Sequence, residues 1–273
     1  MDENKTALTD RLWLGIGRAY KNNKTPFLAA LFTGLLAHGF AFTNKLLNHD
    51  EIESLFGKGA TVTSGRWGLE LVKLLFPDWS MPWIYGVVSL LLLSAAACVT
   101  VRIFRIKSTL LQGLLAGAIT VFPAQTGTFC FMYTSAPYAL AVLLTVLSVY
   151  LCAEGKPWKY IAACLLLAFA LLIYQAYISI AASYFVIMLI LRTADGEDKI
   201  GDILKSAVRY FSLLLAALVI YLAATYIVKL VGGNEYQEYE VFAEGSIPHR
   251  IMTAYSSFVR MIFKSGFGFV PTG

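Results

Sequence analysis

The sequence predicts an all-α integral membrane protein, a polytopic bundle of about seven transmembrane helices. Of its 273 residues, 58% are hydrophobic and only 14% are charged, whereas soluble domains carry about 25% charged residues. A globular fold of this length has too little interior to bury so much apolar side chain. Seven apolar segments approach the length of about 20 residues that a spanning helix needs. They are residues 26–47, 83–104, 109–123, 137–153, 158–173, 177–191 and 210–230.

Lys and Arg residues are concentrated in alternate connections between the helices of this predicted bundle. The N-terminal segment 1–25 holds five of them, and residues 102–107 and 192–209 are basic as well. The connections at 125–136 and 174–176 hold none. Because cytoplasmic connections carry an excess of Lys and Arg, this pattern predicts a cytoplasmic N-terminus.

This orientation divides the chain into three parts. We expect a cytoplasmic segment at 1–25, a transmembrane domain at 26–230 and a truncated external tail at 231–273. The loop at 48–82 then lies outside, between the first two helices.

Net charge and cysteine spacing exclude several classes of function. The formal net charge of +5 is modest and scattered, so it predicts no nucleic-acid partner, whereas the apolar composition predicts membrane lipids as partners. The cysteines show no C-x-x-C spacing, which argues against a zinc site and a disulfide framework. We expect them to be buried thiols that pack as small hydrophobic groups; they are Cys98, Cys130, Cys152 and Cys164.

Two adjacent carboxylates, Asp50 and Glu51, follow the first apolar segment directly, with His49 beside them. The predicted topology puts them at the outer membrane–water boundary, where they keep access to water. One interpretation is a solvated loop start or a helix cap. The other is a catalytic acid pair next to the lipid headgroups.

The remainder of this loop contains an Arg within a glycine-rich segment, S-G-R-W-G. Glycines leave backbone N–H groups free to approach an anion, and the planar guanidinium of Arg66 suits a phosphate. Lys58 is a weaker candidate for the same role, and a snorkelling Arg66 is the structural alternative. From Arg66 to Pro77 the pattern predicts an amphipathic helix in the interface plane. Its apolar face comprises Trp67, Leu71, Leu74 and Leu75.

Polar residues elsewhere allow both functional and structural interpretations. His38 lies within the first apolar segment, where an ionisable group is either functional or neutral and hydrogen-bonded to a neighbouring helix. Tyr174 and Gln175 lie at the outer end of the fifth segment. They are candidates to line a substrate, and interfacial anchoring explains the tyrosine equally well.

The order of these features resembles the type II Gtr glucosyltransferase family, within the GT-C superfamily. The resemblance rests on the acidic pair, S-G-R-W-G at 64–68, S-A-P-Y-A-L-A at 135–141 and Y-Q-A-Y-I-S at 174–179. It implies a GT-C-like bundle in the bacterial cytoplasmic (inner) membrane with its active site on the external face. It also implies a sugar donor linked to polyprenyl phosphate and a surface polysaccharide acceptor such as O-antigen.

The resemblance also assigns roles to the candidate residues. Asp50 would be the general base, with Glu51 as its partner, in an inverting transfer through an oxocarbenium-like transition state. Arg66, helped by Lys58, would hold the donor phosphate, and His49 would line the substrate. The open alternative is that the two carboxylates bind a divalent ion, Mg or Mn, and act by positioning.

Two other classes of function compete with an enzyme. A non-catalytic lipid-carrier flippase or membrane assembly subunit would use Arg66 without needing Asp50. A secondary transporter would carry ionisable residues near the middle of the bilayer. Apart from His38 the apolar segments lack them, so transport is the weakest interpretation.

Overall fold

The computed structural model describes residues 17, 21–46, 50, 52, 64–77, 81–196, 198–232 and 246–260. Every regular element among these residues is helical, which confirms the predicted all-α class. The helices are α1 (Lys24–Thr43), α2 (Gly68–Val72), α3 (Pro82–Ile103), α4 (Thr109–Val121), α5 (Pro123–Cys130), α6 (Met132–Ala153), α7 (Pro157–Ile173), α8 (Ile178–Asp195), α9 (Ile200–Gly232) and α10 (Ile247–Arg260). A 3₁₀ turn, Gln175–Tyr177, separates α7 from α8.

The chain divides into two compact units, residues 1–235 and residues 236–273. The first contains helices α1 to α9. The second contains α10, a strongly amphipathic helix whose apolar side chains Ile251, Met252 and Tyr255 are exposed.

Several helices are apolar enough to cross a membrane, as the composition predicts. Five candidates in the described part of the chain combine sufficient length with high hydropathy: α1, α3, α6, α9 and the 3₁₀ turn together with α8. Helices α4 and α7 are apolar but shorter, at 13 and 17 residues. Each of the seven predicted segments overlaps one of these helices, but the count of seven spans and the orientation remain predictions.

Helix α9 begins ten residues earlier than the apolar pattern predicts, at Ile200 rather than at residue 210. Its 33 residues correspond to about 50 Å, which exceeds the hydrocarbon thickness of about 30 Å. The added turns carry Asp202, Lys205 and Arg209, and the first two form an ion pair at 3.2 Å. Charged residues continue a helix beyond the apolar segment without extending its hydrophobic pattern.

Small residues let the helices of the first unit approach closely. Helix α3 packs against α1, α4 and α6. A Cβ added at Gly86 of α3 would lie 2.2 Å from the Phe42 ring, and one at Gly34 of α1 would lie 2.5 Å from Leu90. Such contacts are typical of helices in membranes, where close packing drives association.

Hydrogen bonds between buried polar side chains also join these helices. Nε2 of His38, which is only 5% exposed, donates to the carbonyl oxygen of Thr120 on α4 at 2.9 Å. The Thr33 and Thr120 hydroxyls lie 3.1 Å apart, and the Ser89 hydroxyl donates to that of Ser135 at 3.1 Å. His38 therefore makes the bond to a neighbouring helix that the structural interpretation predicts.

Candidate active site

Residues 64–68, S-G-R-W-G, form hydrogen bonds with residues that are distant in the sequence. The Gln175 side-chain amide, in the 3₁₀ turn, donates from Nε2 to the carbonyl oxygen of Ser64 at 3.0 Å. The carbonyl of Gly65 accepts a hydrogen bond from the Tyr221 hydroxyl of α9 at 3.4 Å. Gly65 has φ +75°, a left-handed conformation that glycine adopts without steric cost.

The second half of the segment contacts α7 and α9. The indole Nε1 of Trp67 donates to the Thr225 hydroxyl at 3.4 Å. Gly68 lies directly on α7, because a Cβ added there would be 2.6 Å from the backbone carbonyl carbon of Leu172. The segment is therefore held between helices α7 and α9 and the turn that follows α7.

Gly68→Ala is expected to lower the free energy of unfolding by about 1–3 kcal/mol, since the added methyl group meets backbone rather than a flexible side chain. Thermal unfolding of the purified protein in detergent micelles measures the effect. Gly127→Ala is the matched control, because nothing lies within 4 Å of a Cβ at that position. Equal midpoints for both variants would contradict the close packing of Gly68.

The guanidinium of Arg66 lies against a cluster of aromatic rings. Its Nη1 donates to the Tyr138 hydroxyl at 3.0 Å, and its Cζ lies 5.4 Å from the centroid of the Tyr174 ring. The rings of Tyr138 and Tyr174 stack at 5.0 Å, and Tyr177 meets Tyr174 edge-on at 5.1 Å. We call Tyr138, Tyr174 and Tyr177 the tyrosine cluster. A hydrogen bond and a cation–π contact together fix the plane of the guanidinium.

Gln175 presents a polar atom beside this cluster. Its Nε2 is bonded to Ser64, whereas its Oε1 is buried without a hydrogen-bond partner among the described residues. An amide oxygen accepts hydrogen bonds, so Oε1 is suited to a ligand hydroxyl. The structure thus brings Arg66 and its segment to Tyr174 and Gln175, the two adjacent candidates that the sequence analysis considered separately from Arg66.

The acidic motif is only partly covered by the described residues. Asp50 is a half-buried helical residue. His49, Glu51 and Lys58 lie outside the described residues, so their grouping around Asp50 stays a prediction. No cluster of three or more His, Cys, Asp or Glu side chains suited to a metal ion occurs in the part of the chain that the structure describes.

The predicted interfacial helix over residues 66–77 is not confirmed. The helical part is α2, which has five residues, and turns follow it as far as Pro77. Leu69 and Val72 are buried against Ala141, Ala170 and Ile173. The apolar residues Leu71, Leu74 and Leu75 are exposed, as predicted, but Trp67 packs against the bundle. Because its opposite face is buried, the segment packs against helices α6 and α7, and α2 is shorter than the predicted helix.

Other site residues were missed by the sequence analysis. Tyr138 and Tyr177 lie inside S-A-P-Y-A-L-A and Y-Q-A-Y-I-S, the segments that carry the family resemblance, and this was the available signal. Tyr221 and Thr225 are four residues apart on one face of α9, a spacing that apolar helices share widely. Cys98, Cys152 and Cys164 are buried, as predicted, whereas Cys130, the last residue of α5, is exposed.

These features define the class of the protein: an all-helical chain with the apolar helices of a membrane protein and an Arg–tyrosine site at the C-terminal end of α7. The family model described as Glucosyl transferase GtrII matches residues 39–268. The chain belongs to this family, which confirms the resemblance, and the family name indicates a glucosyltransferase. No curated protein and no solved structure matches the chain.

Proposed function

We propose that the protein transfers glucose from a polyprenyl-phosphate-linked donor to a cell-surface polysaccharide such as O-antigen. The reaction takes place at the external face of the bacterial inner membrane. The observation that carries this proposal is membership of the GtrII family over residues 39–268. The apolar helices support it, since an isoprenoid-linked sugar is itself a membrane lipid.

The acidic pair supplies the proton transfer. The acceptor hydroxyl attacks the anomeric carbon, the bond from that carbon to the phosphate oxygen breaks, and the configuration inverts. Asp50 accepts the proton that the hydroxyl loses, and Glu51 orients the acceptor. Charge builds up on an oxocarbenium-like sugar, which a nearby carboxylate also stabilises.

Arg66 stabilises the departing polyprenyl phosphate, with Lys58 as a second cation. A leaving phosphate is already an anion, so a fixed cation serves it better than a proton donor. The contacts with Tyr138 and Tyr174 support this role, because they orient the guanidinium before substrate arrives. Preorganised charge needs no rearrangement during the reaction.

The sugar binds beside Arg66, where polar and aromatic groups meet. Oε1 of Gln175 accepts a hydrogen bond from one sugar hydroxyl, and the Tyr174 hydroxyl forms a hydrogen bond with another. His49, which belongs to the acidic motif, also lines the sugar-binding site. The buried amide oxygen supports the assignment, because an acceptor left without a donor costs about 1–3 kcal/mol.

Reconstituted membranes test the proposed function. The purified full chain in proteoliposomes receives polyprenyl-phosphate-[¹⁴C]glucose and an O-antigen acceptor, and transfer of label to the polysaccharide is measured. We expect transfer from this donor and none from a nucleotide sugar. Binding of the donor without transfer would instead favour a flippase or assembly subunit. Loss of transfer on chelation, restored by Mg or Mn, would favour the divalent-ion role of the carboxylates.

A further inference from the structure

A second polar site lies at the opposite end of α7 from the tyrosine cluster. Helix α7 begins at Pro157 and ends at Ile173, directly before Tyr174. Its 17 residues separate its two ends by about 25 Å. Beside its first residue, Arg209 of α9 reaches the connection between α6 and α7. Its Nη1 lies 2.7 Å from where a Cβ at Gly155 would be, and Gly155 has φ +75°, a conformation that favours glycine.

The guanidinium of Arg209 is partly buried, which is unusual for a cation at the end of a helical bundle. The side chain is half-buried, and its Nε is buried without a hydrogen-bond partner in the part of the chain that the structure describes. Its Cζ lies 5.6 Å from the centroid of the Tyr210 ring. A buried N–H of a charged group without an acceptor is costly, and a ligand that accepts hydrogen bonds from the guanidinium would offset this cost.

The one carboxylate at this connection does not neutralise Arg209. Glu154 pairs with Lys159, and the hydrogen bond from that ammonium lowers the pKa of Glu154. Lys156 adds a third cation, and its side chain does not cap α7. Three cations therefore meet one paired carboxylate here, which leaves an excess of positive charge.

Trp158 indicates the depth of this connection. Its side chain is 64% exposed, and the Lys159 ammonium lies 5.4 Å from the centre of its ring. Exposed Trp next to Lys at the end of an apolar helix is typical of the headgroup region. Phosphate groups are abundant at that depth.

We propose that Arg209, which lies against Gly155, binds the phosphate of an anionic ligand together with Lys156. A phospholipid headgroup of the surrounding leaflet is the first source, and free phosphate is the second. The Arg fork binds two phosphate oxygens at once, and basic pockets between membrane helices hold anionic headgroups. This site is independent of the proposed glucosyl transfer.

Native mass spectrometry of the full chain tests this site. The protein is released from nanodiscs that contain equal amounts of phosphatidylglycerol and phosphatidylcholine, and the retained lipids are counted. We expect wild type to retain phosphatidylglycerol preferentially, and we expect this preference to be about fivefold weaker in Arg209→Gln. A fivefold change corresponds to about 1 kcal/mol, the contribution of one cation near anionic lipid. Lys205→Gln is the matched control, since Lys205 lies one turn earlier on α9 and is 82% exposed.

An unchanged preference in Arg209→Gln would overturn the proposal. If that variant does not fold, Lys156→Gln replaces it, because Lys156 is exposed, and an unchanged preference there would overturn the proposal equally. A third arm adds inorganic phosphate to the protein in neutral detergent. Thermal stabilisation of wild type but not of Arg209→Gln, without any preference for phosphatidylglycerol, would retain the site and assign it to free phosphate.

Discussion

Asp50→Asn is expected to lower the rate of glucosyl transfer by about 10²–10⁴-fold, the contribution of a positioned general base. An amide is nearly the same size as a carboxylate, so the substitution leaves packing largely unchanged. It removes the group that takes the proton from the attacking hydroxyl. The measurement is the initial rate of label transfer in proteoliposomes at saturating donor.

Separate measurements of binding and turnover distinguish a base from a structural residue. Because the base is removed rather than the binding site, the donor should bind to Asp50→Asn with unchanged affinity while kcat falls. Glu51→Gln should have a smaller effect, as expected of a partner. Asp202→Asn, an exposed carboxylate on α9, is the control with unchanged activity. Full transfer by Asp50→Asn would contradict the assignment.

Local patterns were sufficient to predict most helices of the first unit, but residues 125–136, predicted as a connection, contain most of α5 (Pro123–Cys130) and the start of α6 (Met132–Ala153). The apolar segments at 83–104 and 158–173 correspond to Pro82–Ile103 and Pro157–Ile173. Membrane helices satisfy their backbone hydrogen bonds internally, so apolarity alone locates them. The same reasoning failed where side chains were polar or mixed. It missed the charged turns at the start of α9 and overestimated the length of α2.

The candidate site was predictable only in part, for a physical reason. A cation between glycines, as in S-G-R-W-G, suits an anion, and this is a local property of the sequence. Its partners Tyr221 and Thr225 lie more than 150 residues further along the chain. No periodicity links such positions, and only the packing of α7 and α9 brings them together. The role of the segment as a tightly bonded element was therefore invisible in the sequence.

Arg66→Gln is expected to lower the transfer rate by about 10²–10³-fold, as removal of a preorganised donor from a developing anion does in other enzymes. The loss should appear mainly in kcat, because phosphate charge increases as the anomeric bond breaks. Arg66→Lys should rescue only part of it. A lysine keeps the charge but lacks the planar fork that Tyr138 and Tyr174 orient.

Tyr138→Phe separates orientation from charge at the same site. It keeps the ring that stacks on Tyr174 and removes only the hydroxyl that accepts the hydrogen bond from Arg66. A hydrogen bond to a charged group contributes about 1.5–3 kcal/mol, so a decrease of about tenfold or more in kcat is expected. Lys73→Gln, which removes a cation of the same loop that pairs with Glu70 at 2.7 Å, should transfer glucose at the wild-type rate. If Lys73→Gln and Arg66→Gln were equally impaired, the loop would act through its overall charge, and a fixed guanidinium at position 66 would not be the group that holds the phosphate.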